Sequence, residues 1–136
     1  MNTRRFKLAV GLATILLTVM ACEFSVSTAN FADAFMAADA DGSQRTSAFG
    51  PSDIFYAIVD LANAPDDTEV KAVWFGMELE GAEAETQITE TSLTTGDGRL
   101  VFNLENEAGF IWPNGTYRVD LYLNGELETS LEFTVQ

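Results

Sequence analysis

Side chains able to do covalent or acid–base chemistry are scarce in this chain. It has no histidine and one cysteine, Cys22, against 21 Asp and Glu residues. Without an imidazole, no ordinary side chain changes charge near neutral pH, and nothing stands ready to activate a serine or cysteine. Paired carboxylates could share acid–base work, but among so many of them a close pair says little. No glycine-rich loop opens a helix to cradle phosphate, and soft metal ligands do not cluster. The chain therefore reads as a non-enzyme. Calcium suits its chemistry better, since that ion takes about six to eight oxygens from carboxylates and carbonyls. Two stretches offer them: "ADADGS", with Asp39 and Asp41, and "PDDTE", with Asp66, Asp67 and Glu69. Asp-rich loops are also ordinary solvated turns capped by their own side chains, and both readings stand at this point.

Charge narrows the partners. Formal net charge is -14, and the only cations before residue 40 are Arg4, Arg5 and Lys7. From Cys22 onward, Arg45, Lys71, Arg99 and Arg118 stand against all 21 carboxylates, a net of -17. Such a surface repels phosphate backbones, which excludes a nucleic-acid partner, and attracts cations or basic partners. A hydrophobic fraction of 47% with 21% charged residues is that of a globular domain.

The elements that would carry these residues follow from period-two alternation between turn signals. Phe55, Ala57, Val59 and Leu61 alternate in one run, Leu100, Phe102 and Leu104 in another, and Tyr117, Val119, Leu121 and Leu123 in a third. Asn124-Gly125, a type I′ turn pair, leads into Leu127, Leu131, Phe133 and Val135, so a hairpin is expected there. "DTEVKAVWFGMELE" is apolar on both faces, as a central strand would be, and "TQITETSL" is a weaker, threonine-rich strand before the turn "TTGDG". An opening strand near 29–37 brings the number to about seven. No sustained helical period and no repeat is present. Short strands with regularly spaced turns make an all-β sandwich.

Strand parity then sets the candidate surfaces. With Val70, Ala72 and Trp74 inward, Val73, Phe75 and Met77 face outward beside Tyr122 on a neighbouring strand. They form a partner-binding patch if left open, or lie under another segment. Tyr56 and Ile58 pose the same question on the other sheet. Trp112 is either a stacking platform for a sugar or peptide or a plug at the end of the sandwich.

Two resemblances add to this. The basic Met1–Lys7, the uncharged run Leu8–Met20 and the sequence Val19-Met20-Ala21-Cys22 resemble the bacterial lipobox, with Val19 where the family usually has Leu and Met20 where it has a small residue. The apolar run has signal-peptide length and is short for a membrane span. The resemblance implies cleavage after Ala21, a diacylglyceryl group on Cys22 and a place in the cell envelope. Residues 1–21 are then a signal peptide, 22–29 a lipidated tether and 30–136 the domain. Within that domain, Trp74 on the third strand and "WPNGTYRVDLYL" resemble the immunoglobulin-like and fibronectin type III superfamily. That likeness implies a single immunoglobulin-like antiparallel β-sandwich, a buried Trp74, and Tyr117 as a tyrosine corner. The function expected from both is a membrane-anchored, non-catalytic binding or structural module with a protein or carbohydrate partner. A carbohydrate- or calcium-binding accessory domain serving a surface enzyme is the other reading. In Cys22→Ser, fatty-acid label is expected to vanish from the protein in growing cells; label that persists refutes the anchor.

Overall fold

A computed structural model describes residues 28–81 and 85–136. Eight strands run in chain order: β1 (Asn30–Ala37), β2 (Ala48–Phe49), β3 (Phe55–Ala62), β4 (Thr68–Leu79), β5 (Thr86–Thr95), β6 (Gly98–Leu104), β7 (Gly115–Leu123) and β8 (Glu126–Val135). They form a three-stranded sheet, β1-β3-β6, packed on a five-stranded sheet, β2-β8-β7-β4-β5. All pairings are antiparallel except β2 with β8. The β7–β8 hairpin turns where expected, with both Asn124 and Gly125 at positive φ, the geometry a type I′ turn requires.

The strand beyond the expected seven is β2. It lies in a stretch whose Asp, Gly, Pro and Ser content reads as loop, and two residues are too few for periodicity to register. Its pairing comes from β8: Thr134 N–H donates to the Ser47 carbonyl at 2.8 Å and Gln136 N–H to that of Phe49 at 3.1 Å. Phe49 is thereby carried into the core, 5.0 Å from the Phe55 ring and 5.5 Å from that of Phe133.

Between the sheets the core is aromatic at one end and aliphatic along its length. Phe133 is central to the aromatic part, with Phe55 at 4.9 Å, Tyr117 stacked at 5.4 Å and Trp74 edge-on at 6.0 Å. Trp74, Tyr117, Phe55 and Phe133 are all fully buried. Val59, Val70, Ala72, Val119 and Leu121 continue the dry interior. Each sits at the inward parity of its strand, which is why alternation in the sequence found them.

The two ends of the sandwich differ. Asn30 pairs with Ala62, and Leu61 with Gly98, so the chain enters β1 at the end that also holds the Asn124–Gly125 turn, beside the start of β4. The opposite end holds Phe55, Leu104 and the 105–114 loop. There Trp112 N–H donates to the Pro51 carbonyl at 2.8 Å, and the Tyr117 hydroxyl donates to the Pro113 carbonyl at 2.6 Å. Burial pushes the Tyr117 phenol up to about 12 from an ordinary 10.0.

Tyr117→Phe removes the hydroxyl donor and leaves the Pro113 carbonyl unpaired, so unfolding in urea should show a loss of about 1–2 kcal/mol. The neutral phenol is the folded form. Its contribution is full below the unfolded phenol's pKa near 10 and is lost as pH rises through about 12. Wild-type stability should therefore fall more steeply than that of Tyr117→Phe between those values; parallel curves refute the assignment.

Candidate functional site

Cys22 and the tether as far as residue 27 lie outside the described residues. Within them, the two acidic stretches sit in different loops. Asp39 turns the β1–β2 connection: its carboxylate accepts from the Ser43 hydroxyl and from Gln44 N–H at 3.0 Å. Those bonds, Ser43's first, hold it below the usual aspartate range. Asp41 contributes its backbone carbonyl to Arg99 Nη1 at 3.0 Å. Asp66 and Asp67 are exposed between β3 and β4, and Glu69 is exposed at the start of β4, where its N–H donates to Asn124 Oδ1 at 3.0 Å. Among the described residues no three ligating side chains converge as a metal would require.

The outward patch is covered in part. Val73 is 6% exposed and Ile58 fully buried, while Phe75, Met77 and Tyr122 are half-buried. The same arrangement recurs in both places: long cationic side chains lie across aromatic rings beside the buried residue. On the five-stranded sheet, Lys71 Nζ stands 4.8 Å from the Tyr122 ring centre and the Arg118 guanidinium 4.7 Å from that of Phe75. Val73, opposite Asp120, lies between these two pairs. Met77, partly buried, falls at a register shift between β4 and β7, so strict parity does not govern it. On the three-stranded sheet the 38–45 loop folds back over β1. Arg45 comes within 3.7 Å of the Phe35 ring centre and Arg99 within 5.5 Å.

Ion pairs hold the three arginines in place. Arg45 bonds Asp33 at 2.8 Å, and Arg99 grips Asp60 at 2.7 and 3.0 Å. The Arg99 hydrogen bonds keep Asp60 below its usual pKa and hold Arg99 above its own. Arg118 reaches Asp120 through Nε at 2.8 Å and Nη2 at 3.1 Å, and Ser130 Oγ donates to the same carboxylate at 2.7 Å. Asp120 is thus a buried carboxylate with its hydrogen bonds made. Partial burial works against the Arg118 charge, but Asp120, with Glu85, outweighs it and holds Arg118 above the ordinary arginine value.

Trp112 takes the plug position. It is 9% exposed, 5.3 Å from Phe55 and 6.2 Å from Tyr117, and its buried Nε1 has no hydrogen-bond partner among the described residues. Among the described large apolar residues the most exposed are the two before it, Phe110 at 66% and Ile111 at 67%, ahead of Leu127 at 55%. Sequence reasoning passed over them. The available signal was "GFIWP", three large apolar residues between turn formers in a segment that no strand claims. Ile111 forms a ridge between two shallow clefts. One, of about 420 Å³, is lined by Asp53, Ile54, Glu105 and Glu107 among others. The other, of about 470 Å³, lies over Glu80, Trp112 and Asn114. The arrangement offers an apolar anchor with a carboxylate rim.

Arg118→Ala should destabilise the domain by about 3 kcal/mol, because it strands a buried carboxylate and uncovers Phe75. Arg118→Lys should recover less than half of that in chemical denaturation, since an ammonium cannot grip Asp120 bidentately. Full recovery refutes the bidentate role.

No family model matches the chain, and no curated protein sequence matches it. Solved structures share its fold. An immunoglobulin-like protein from Pseudomonas aeruginosa is 12% identical, with a TM-score of 0.54 over 82% of this chain and 99% of that one. An alkylpurine DNA glycosylase from Pseudomonas fluorescens is 16% identical at a TM-score of 0.50. A β-glucosidase from Listeria innocua is 13% identical at 0.50. This chain spans 31% of the glycosylase and 17% of the β-glucosidase. At these identities the likeness is one of fold, and the fold is an immunoglobulin-like all-β sandwich.

Proposed function

We propose that this protein is a non-catalytic binding module of the bacterial cell envelope, anchored through lipid on Cys22 and engaging a protein partner with the far end of its sandwich. The observation that carries the reading is the exposed pair Phe110 and Ile111, at the end opposite the entry of β1. A tether at 22–29 would set that end away from the membrane. Apolar side chains this exposed are a cost in water that a partner's pocket would relieve. Glu105 and Glu107 beside them, on a domain of such negative charge, favour a partner whose pocket has a basic rim.

A second reading is favoured by the comparisons. The same fold occupies a minor part of the β-glucosidase and glycosylase chains, which fits an accessory domain serving an enzyme at the cell surface. Its ligand would be a carbohydrate or calcium.

A photo-cross-linking residue placed at Ile111 in intact cells should capture one discrete protein, whereas the same residue at Glu128 should not. Phe110→Asp with Ile111→Asp should abolish that association yet move the melting temperature by less than about 4 °C. Association unchanged in the double variant refutes the site. Retention of wild-type protein on envelope polysaccharide, lost in the double variant, decides for the accessory reading.

A further inference from the structure

Three groups that the fold leaves unmatched meet at the 105–114 end. The first is a buried donor. Trp112 is nine-tenths buried, yet its Nε1 has no hydrogen-bond partner, the one such side-chain atom among the described residues. A buried N–H without an acceptor has lost its water and gained nothing in exchange. The same residue lines the cleft of about 470 Å³, with Ile111 and Asn114 beside it. The second is the apolar ridge. Ile111 lines both clefts and is 67% exposed, so its side chain has little packing to lose when it moves. The third is charge. Asp53, Glu105 and Glu107 line the cleft of about 420 Å³, and none of the described cations does, since all of them lie over rings on the sheets. The Gly50 N–H donates to Asp53 at 2.6 Å, and the Glu105 and Glu107 carboxylates form no ion pair among the described residues.

We infer that the partner engages this end through an extended peptide segment that carries a lysine or arginine next to an apolar residue. The inference rests on the protein-partner reading above and names the chemistry of the segment. A backbone carbonyl of the segment accepts from Trp112 Nε1, the lightly packed Ile111 turning aside to admit it. The basic side chain enters the cleft lined by carboxylates, and the apolar one covers Phe110 and Ile111. Each unmatched group narrows the occupant. Glu80 lines the cleft beside Trp112, and the chain carries a net charge of -14, so a carboxylate or phosphate acceptor is repelled. The Trp112 ring packs against Phe55 and Tyr117, which leaves its N–H and not its face to offer. A neutral sugar could stack on Phe110, but it brings no charge to the three carboxylates and leaves their mutual repulsion in place. A peptide has a neutral acceptor at every residue and a cation wherever lysine or arginine stands. One short segment therefore meets all three needs.

With its tryptophans isotope-labelled, the full chain in detergent gives indole N–H signals from Trp74 and Trp112, and Trp112→Phe identifies the second. Titration with the blocked tripeptide acetyl-Lys-Leu-Lys-amide should move the Trp112 signal, with half-saturation at about 0.1–1 mM, and leave that of Trp74 in place. Acetyl-Glu-Leu-Glu-amide should move neither. Glu105→Gln with Glu107→Gln should raise the half-saturation concentration at least about fivefold and flatten its dependence on salt. A Trp112 signal unmoved by the basic peptide up to about 10 mM overturns the inference, and so does binding unchanged in the glutamine variant. Movement with a neutral glucose tetramer and not with the peptide overturns it in favour of a sugar. Capture of a protein from Ile111 in cells, beside an unmoved Trp112 signal, rejects this inference and keeps the proposed function. Failure of that capture rejects the proposed function itself.

Discussion

The hydrogen bond from Tyr117 to the carbonyl of Pro113 is the constraint on which the 105–114 end of the sandwich depends. Tyr117 is fixed between Phe133 and Phe55 in the core, so the carbonyl it holds is fixed as well. With Trp112 N–H bonded to Pro51, the chain has one way to pass. The indole goes inward over Phe55, and the two residues before it are left outside. The exposure of Phe110 and Ile111 therefore follows from a rigid point in the core rather than from a loose loop.

Cation placement settles the two broad faces. All four cations of the described residues, Arg45, Lys71, Arg99 and Arg118, lie over an aromatic ring on the outside of a sheet. Three of them are also held by carboxylates. Cation–π contact contributes on the order of 0.5–1 kcal/mol at such exposed sites. The cations' stems also lie beside rings that flank Val73 and Ile58, which are buried. With so few cations engaged in this way, most carboxylates have no partner to neutralise them. The domain then presents a negative field, two partly covered faces, one strand edge at β5 and an apolar pair at the 105–114 end.

Much of this was legible in the sequence. Alternation in "RVDLYL" and "RLVFNL" located β7 and β6, because a strand with one face in the core must alternate. Asn124-Gly125 marked the hairpin for a local steric reason. β2 was not legible, since two residues show no period and their pairing is supplied by β8, some 85 residues later in the chain. The candidate site was read less well. Parity put Val73 on the outside correctly, but outside and exposed are different conditions. Whether Arg118 stacks on Phe75 or extends into water depends on Asp120, the residue it grips two positions further along β7.

By itself the sequence determined the all-β class, most strands, the inward set around Trp74 and Tyr117, the negative charge and the scarcity of catalytic groups. These rest on composition and on contacts between near neighbours in the chain. Only the tertiary structure decided which apolar residues stay wet. Trp112, the larger side chain, is inside, and Phe110 and Ile111 are out. β5 overhangs the smaller sheet and keeps both faces in solvent. Exposure is a property of what else is packed nearby, and those neighbours come from distant strands whose arrangement no local pattern encodes.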